Sequence, residues 1–231
     1  MTTLVNLTTA PPVPFLPESV HGKPIIGVGG CWSGEPEAGA AAVAPFRRLG
    51  TVIADVFADN PYAAWQQALD PLYPRGIHNY FRSAFLRTAG PDSLRVLRES
   101  FESLPNALTE VHLQHLGGAV GRVPAESTAF ALRDQEFIVN VVARTPTEEG
   151  FADVVEWARG VTSALGPDSG SYVNFTGEAD ATLVRAAYPE ATYRRLVELK
   201  TAYDPGNLFR LNQNIVPAAG NDQGTNGQGI R

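Results

Sequence analysis

Polar side chains that could contact a ligand alternate with apolar ones in residues 108–116. Glu110, His112 and Gln114 are separated by valine and leucine, and a β-strand places successive side chains on opposite faces. The three polar residues are therefore predicted to share one face, which offers a carboxylate, an imidazole and an amide for hydrogen bonding. This combination suits a ligand-lining surface, and ordinary solvent-facing strand residues would produce the same pattern.

Residues 77–85 repeat this alternation. His78, Tyr80 and Arg82 are predicted to lie on one face, and the opposite face carries isoleucine and two phenylalanines. An antiparallel sheet that is covered by helices on one side contains strands of this kind. We therefore expect the polar residues of both segments on the uncovered side of one sheet.

The segment Gly27–Gly34 stands between a predicted strand and a predicted helix, where a dinucleotide-binding turn would occur. Asp55 would then be the ribose ligand at the end of the next strand. The final glycine comes two positions late, however, and Trp32 is bulky where the backbone must approach a phosphate. We do not expect a nucleotide site in this segment.

Metal and disulfide chemistry are not expected from the cysteine and histidine content. Cys31 is the single cysteine, which excludes an internal disulfide and a cysteine-based zinc site. His112 and His115 are three residues apart, but on a strand this spacing puts them on opposite faces. The sequence therefore predicts no metal site.

Hydrophobic periodicity and turn residues predict a mixture of strands and helices. Strands are predicted at 23–32, 51–58, 77–85, 108–116, 136–144 and 171–175, and helices at 33–49, 61–68, 91–103, 148–165, 178–187 and 189–202. This order lacks the strict alternation of a doubly wound parallel sheet. The predicted fold class is α+β, with an antiparallel sheet, helices packed on one face and a C-terminal helical segment.

The two ends of the chain look irregular. Four prolines between residues 11 and 17 disfavour a helix or a central strand, so residues 1–22 are interpreted as an extended linker. Residues 218–231 contain almost no apolar side chains and are predicted to be a disordered tail.

Composition excludes several classes of protein. The chain has 231 residues, of which 44% are hydrophobic, and 18 basic against 24 acidic residues give a formal charge of −6. This acidity argues against a nucleic-acid partner, and no apolar run reaches the ~20 residues of a membrane span. With no signal-peptide pattern at the start, we expect a cytoplasmic protein that has no membrane partner.

Two motifs in the C-terminal third resemble a known family. The sequence YVNF at residues 172–175 and the sequence DPGNLFRLNQNI at residues 204–215 resemble the C-terminal signature of berberine-bridge-enzyme-like FAD-linked oxidases. Upstream segments such as GIHNYFRSAF and LGGAVGRVPAESTAFALR resemble the family in the same order. The resemblance extends over residues 10–216.

The resemblance implies a division of labour. Family members are longer and begin with an FAD-binding domain, to which residues 1–231 contain nothing similar. Residues 23–165 would be the substrate-binding domain and residues 166–217 the berberine-like C-terminal segment. We expect FAD in the complete enzyme but not on this chain alone. The expected partners are a small-molecule substrate and either a separate FAD-binding domain or a second copy of the chain.

The resemblance also assigns roles to single residues. Tyr172 is implied to lie near the flavin or the substrate, and Asn174 and Asn207 are implied to contact the cofactor. The residues implied to line the substrate cavity are His78, Tyr80, Arg82, His112, Gln114, Arg122 and Asn140.

Two positions depart from the family pattern. Several members carry a tyrosine as catalytic base at the last position of the first motif, where this chain has Phe175. Tyr172 and Glu110 are then the candidate bases by residue type. Arg122 stands where some plant relatives have a catalytic glutamate, and it could bind an anionic substrate or stabilise charge on the flavin. Simple packing or an ion pair would explain both departures equally well.

The sequence thus predicts the substrate-binding and C-terminal part of an FAD-dependent oxidase, which acts on a small organic substrate and passes electrons to oxygen. The alternative is a non-catalytic α+β module that binds a small molecule or a partner and was left by gene truncation.

Overall fold

The computed structural model describes residues 1–166, 169–177 and 181–218, and these residues form five β-strands and seven α-helices. The strands are β1 (Thr2–Thr9), β2 (Pro24–Cys31), β3 (His78–Leu86), β4 (Glu110–His115) and β5 (Phe137–Thr145). The helices are α1 (Pro36–Val43), α2 (Tyr62–Gln66), α3 (Pro91–Glu102), α4 (Ala119–Arg122), α5 (Phe151–Leu165), α6 (Ala181–Ala186) and α7 (Glu190–Tyr203). None of these helices is long and apolar enough to cross a membrane.

One antiparallel sheet organises the chain. Its strand order is β2-β1-β4-β5-β3, and every neighbouring pair is antiparallel. Helix α3 contacts β4, helix α5 contacts β3 and β5, and the two helices contact each other. The predicted α+β class, with an antiparallel sheet and helices on one face, is confirmed.

The hydrophobic core lies between the sheet and helices α3 and α5. Val111, Val139 and Val141 are completely buried and cluster with Val154 and Val161 of α5. Full burial of one such side chain contributes roughly 1.5–3 kcal/mol. The odd-numbered residues of β4 and β5 therefore face the helices, and the even-numbered residues face away. We call the sheet face opposite α3 and α5 the far face.

The two faces of strand β3 are exchanged relative to the prediction. Tyr80 pairs with Ala143, and Arg82 pairs with Val141. Because cross-strand partners share a face, Tyr80 and Arg82 lie on the helix side, and so does His78, whose ring contacts the first residue of α5. The prediction that these three residues share a face with Glu110, His112 and Gln114 is wrong.

The reason is that both faces of β3 are covered. Tyr80 is only 5% exposed and belongs to the core cluster, where its ring packs as a large apolar side chain. Phe85 lies on the far face and meets the ring of Phe130 from a loop, at a centroid distance of 6.1 Å. The aromatic residues on both sides made alternation a poor guide to which face meets the helices.

The predicted linker contains a strand. Residues 2–9 form β1, which lies inside the sheet between β2 and β4, so the prediction of a linker over residues 1–22 is wrong there. The prolines come only after β1 ends, and they interrupt no ladder hydrogen bonds. Strand β1 is rich in threonine and aliphatic residues, and Leu7 joins the core.

Two predicted strands do not form. Residues 51–58 have no strand in the described structure, and Val52, Ile53 and Val56 are exposed, because no neighbouring strand pairs with them. The predicted strand at 171–175 is instead a 3₁₀ turn at Val173–Phe175. The remaining predicted elements are present with shifted ends, and residues 178–180, where the helix at 178–187 was predicted to begin, lie outside the described residues.

The motif at residues 204–215 is held by its own aspartate. Asp204 accepts hydrogen bonds from the backbone N–H groups of Leu208 at 2.7 Å and Phe209 at 3.0 Å. The Lys200 ammonium also bonds Asp204 and holds the pKa of its carboxyl below the usual range. Leu208 and Phe209 are 73% and 78% exposed. Apart from Ala218, the predicted tail lies outside the described residues.

Candidate active site

A polar row crosses the centre of the far face. Gly27, Asn6, His112, Asn140 and Ser83 pair in this order across all five strands. His112, Asn140 and Ser83 are each less than 9% exposed. Buried polar side chains of this kind normally have hydrogen-bond partners, so the atoms that lack one indicate where a ligand can bind.

Glu110 precedes His112 by two residues on β4, so it lies on the same face. Hydrogen-bond donors surround its carboxylate. Its Oε1 accepts hydrogen bonds from Tyr73 Oη at 2.6 Å and from Arg144 Nη2 at 2.9 Å. Its Oε2 accepts from Asn6 Nδ2 at 2.8 Å. The Nε2 atom of His112 lies 3.5 Å from Oε1. A carboxylate with this many partners is held in its charged form.

Arg144 fixes this carboxylate to two distant parts of the chain. Its Nε donates to the carbonyl oxygen of Leu108 at 2.7 Å, and its Nη1 donates to that of Leu72 at 2.8 Å. The guanidinium also lies over the ring of Tyr73, 4.5 Å from the centroid. The Glu110–Arg144 pair is almost completely buried, with side-chain exposures of 6% each.

The surroundings shift the pKa values of Glu110 and Tyr73 in opposite directions. Burial alone would raise the pKa of Glu110, but hydrogen bonds from His112, Tyr73 and Asn6 outweigh burial and lower the pKa to about 2. Burial, together with the Glu110 charge, raises the pKa of Tyr73. Glu110 is therefore a poor proton acceptor at neutral pH, and Tyr73 stays protonated.

Folding stability should depend on the ionisation of Glu110. The pKa of this group is lowered from 4.5 to about 2 on folding, so its contribution is fully present above about pH 4.5 and is lost as the pH falls toward 2. The shift corresponds to about 3 kcal/mol of unfolding free energy. We expect urea unfolding between about pH 5 and pH 2 to show a shallower pH dependence for Glu110→Gln than for the unchanged chain. The exposed Glu99→Gln is the control and should keep the original slope; equal slopes for all three proteins would contradict the assignment.

Tyr172 is anchored at the outer edge of β3. Its backbone N–H donates to Ser83 Oγ at 2.9 Å, and the backbone of the segment also bonds to Phe81 and Phe85 of β3. Its phenolic oxygen accepts a hydrogen bond from Asn174 Nδ2 at 2.9 Å. The rings of Phe130 and Phe175 pack edge-on against the Tyr172 ring. Tyr172 is thus fixed in place, and Asn174 orients its phenolic oxygen.

Several amide oxygens are buried without a partner in the described structure. On the far face these are Oδ1 of Asn6 and Oδ1 of Asn140. In the C-terminal motif they are Oδ1 of Asn207 and Oδ1 of Asn214. Leaving such an acceptor unpaired is unfavourable, so both groups are candidates for contact with a molecule outside the chain.

The structure brings together only part of the predicted site. Glu110, His112, Gln114 and Asn140 share the far face, whereas His78, Tyr80 and Arg82 lie on the helix side. Arg122 ends the short helix α4 and is exposed.

Sequence reasoning missed Asn6, Tyr73, Ser83 and Arg144. Asn6 was missed because residues 1–22 were interpreted as a linker. Ser83 would have followed from the correct face of β3. No local signal pointed to Tyr73 or Arg144, which meet Glu110 across 37 and 34 residues of chain.

Comparison with known proteins agrees with these features. The family model "Berberine and berberine like" matches residues 171–216, which include Tyr172, Asn174 and Asn207. An FAD-linked oxidoreductase of Dictyostelium discoideum is 28% identical over 190 residues, which make up 80% of this chain and 41% of that protein. The chain is similar to FAD-linked oxidoreductases, and its C-terminal residues match the berberine-like family model. Another relative, the FAD-linked oxidoreductase YgaK of Bacillus subtilis, is 34% identical over 54% of this chain and 28% of its own length.

Solved structures show the same fold as this chain. 6-Hydroxy-D-nicotine oxidase from Arthrobacter nicotinovorans superposes with a TM-score of 0.71 at 19% identity, over 93% of this chain and 47% of the oxidase. Berberine bridge enzyme from Eschscholzia californica gives 0.68 at 18% identity, over 95% and 49% of the two chains. The chain spans less than half the length of the curated relatives it matches.

Proposed function

We propose that this chain forms the substrate-binding and C-terminal part of an FAD-dependent oxidase, which oxidises a small organic substrate and passes the electrons to oxygen. The observation that carries this proposal is the coverage: 93% of the chain corresponds to 47% of an oxidase structure. The other half of such an enzyme would supply an N-terminal FAD-binding domain. The relatives that support this reading are named as FAD-linked proteins.

The C-terminal motif fits a contact with FAD. Oδ1 of Asn207 and Oδ1 of Asn214 are buried acceptors without a partner among the described residues, and the flavin ring and the ribityl chain carry N–H and O–H donors. Asn207 adopts φ +51°, a left-handed conformation that asparagine tolerates. Together with Asn174, these residues would hold the cofactor. When bound, FAD supplies the redox chemistry.

The far face would hold the substrate. Glu110 is saturated with donors and has a low pKa, which leaves Tyr172 as the better candidate for the proton acceptor. Its hydroxyl is positioned by Asn174 and by the backbone contact with Ser83. His112, Gln114 and Asn140 would bind and orient the substrate, a role that contributes through proximity.

The domain division also needs adjustment in this proposal. Residues 166–217 would remain the C-terminal segment, because their motif supplies the cofactor contacts. The substrate-binding domain would comprise residues 2–9 in addition to 23–165, since β1 is a central strand of the same sheet and carries Asn6. The intervening prolines would then form a connection within this domain.

Complementation with an FAD-binding domain tests the proposal. The chain should be purified alone and after co-expression with the part of the Dictyostelium relative that lies outside the matched 41%. We expect the chain alone to be colourless and the complex to show flavin absorbance and to consume oxygen with small alcohol or amine substrates. A chain that binds one equivalent of FAD by itself, or a complex that lacks flavin, would contradict the proposal.

A surface variant makes this test sharper. Phe209 is 78% exposed, so Phe209→Asp should leave the thermal stability of the isolated chain unchanged. If the C-terminal motif faces the FAD-binding domain, the same change should abolish the complex. The exposed Tyr62→Asp, in α2, is the control and should leave complex formation intact. Under the alternative of a non-catalytic module, neither variant would change flavin retention.

A further inference from the structure

Glu110 determines the orientation of the Asn6 amide. A carboxylate accepts hydrogen bonds and cannot donate them, so the group of Asn6 that faces Oε2 at 2.8 Å must be the Nδ2 amide. The opposite orientation would put two acceptors in contact. Oδ1 of Asn6 is therefore turned away from Glu110, and it is buried with no partner in the described structure.

The Glu110 carboxylate also determines which ring nitrogen of His112 can accept a hydrogen bond. Nε2 of His112 lies 3.5 Å from Oε1 of Glu110, so this nitrogen carries the hydrogen. In the neutral ring the other nitrogen, Nδ1, is then the acceptor. His112 is 8% exposed and stands next to Asn6 in the polar row.

Asn140 continues the series on the next strand. It pairs with His112, is 3% exposed, and its Oδ1 has no partner among the described residues. Cross-strand neighbours have Cβ atoms about 4.5–5.5 Å apart, so the acceptors of β1, β4 and β5 span roughly 10 Å. A six-membered ring with its substituents has a similar width.

We propose that Glu110 is a positioning residue that aligns Asn6 and His112, so that their acceptor atoms and Oδ1 of Asn140 together bind the hydroxyl or amine hydrogens of the substrate. This inference rests on the proposed function, because it takes the far face as the substrate side. It names the substrate class as a molecule that presents several hydrogen-bond donors. A ligand with acceptors alone would leave the row unpaired, which discriminates strongly against it.

The proposal predicts a specific structural effect of Glu110→Gln. Tyr73 and Arg144 both donate to Oε1, so the amide oxygen of the new glutamine should stay with them. Its amide nitrogen would then face Asn6, whose amide must rotate and accept with Oδ1. Asn6 would afterwards present a donor to the row in place of an acceptor.

A matched pair of probes tests this by NMR on the isotopically labelled chain. The probes are myo-inositol, which carries six hydroxyls on one ring, and its hexa-O-methyl ether, which keeps the oxygens and lacks the donors. We expect inositol, but not the ether, to shift the side-chain signals of Asn6, His112 and Asn140. In Glu110→Gln the dissociation constant for inositol should rise about tenfold or more, as for one lost hydrogen bond. Glu99→Gln should change neither value.

A second variant separates binding from folding. Asn140→Leu has a similar shape and removes a buried acceptor that lacks a partner, so the thermal midpoint should stay the same or rise. Inositol binding should nevertheless be lost. The inference is overturned if the ether binds as tightly as inositol, if neither probe shifts these signals, or if Asn140→Leu binds inositol normally. Binding is measured without flavin or turnover, so these results are independent of the complementation test.

Discussion

Replacing Tyr172 by phenylalanine is expected to lower the turnover of the complemented oxidase by ~10²- to 10⁴-fold, the usual loss when a well-placed acid–base group is removed. The change keeps the ring, and so keeps the edge-on contacts with Phe130 and Phe175. It deletes only the oxygen that accepts the hydrogen bond from Asn174. Folding and complex formation should therefore be unaffected. The measurement is steady-state oxygen consumption, with flavin content determined on the same sample.

The pattern of the kinetic loss identifies the role of Tyr172. If its phenolate oxygen accepts a proton in the chemical step, kcat and kcat/KM should fall together. A loss of binding alone would raise KM and leave kcat unchanged. Tyr193→Phe, in α7, is the control, since it removes a tyrosine hydroxyl on a different element. Full activity of Tyr172→Phe would exclude this residue as the base.

Arg144→Met is expected to cost roughly 3–5 kcal/mol of unfolding free energy, because it leaves the Glu110 carboxylate buried without its cation. The guanidinium also donates to the carbonyl oxygens of Leu108 and Leu72, and both would lose a buried donor. Urea unfolding of the isolated chain at neutral pH measures the change. A loss below about 1 kcal/mol would show that the buried pair is not structurally important.

A double variant and a surface pair provide the controls. Glu110→Gln combined with Arg144→Met removes both charges, so it should be more stable than Arg144→Met alone. Arg95 and Glu99 form an exposed pair on α3 at 3.2 Å, and Arg95→Met should cost at most ~0.5 kcal/mol. If the double variant is no more stable than the single one, the cost comes from lost packing and not from the unpaired carboxylate.

Local pattern was sufficient for the elements that form from neighbouring residues. Helices α3 and α5 begin after glycine and carry their apolar residues at helical spacing. Strand β4 shows the alternation of a sheet that is covered by helices on one face. The motifs at 172–175 and 204–215 indicated the resemblance to FAD-linked oxidases, and the berberine-like family model matches the same region. The helices and strands depend on the pattern of neighbouring residues, and the two motifs are visible in the sequence itself.

Long-range pairing decided the rest, and it is invisible in a local window. Residues 2–9 and residues 51–58 are both rich in β-branched residues, which favour strands, but only the first segment has strand partners on both sides. Strand β3 carries aromatic residues on both faces, so its orientation followed from pairing with β5 and from the loops that cover Phe85.

The candidate site was decided in the same way. Glu110 could be recognised as a carboxylate on the polar face of a predicted strand, and residue type made it a candidate base. Its low pKa comes from groups such as Asn6, 104 residues away, and Tyr73, 37 residues away. Because a pKa reflects the charges and donors around a group in space, only the folded chain shows that Glu110 is unsuited to accept a proton.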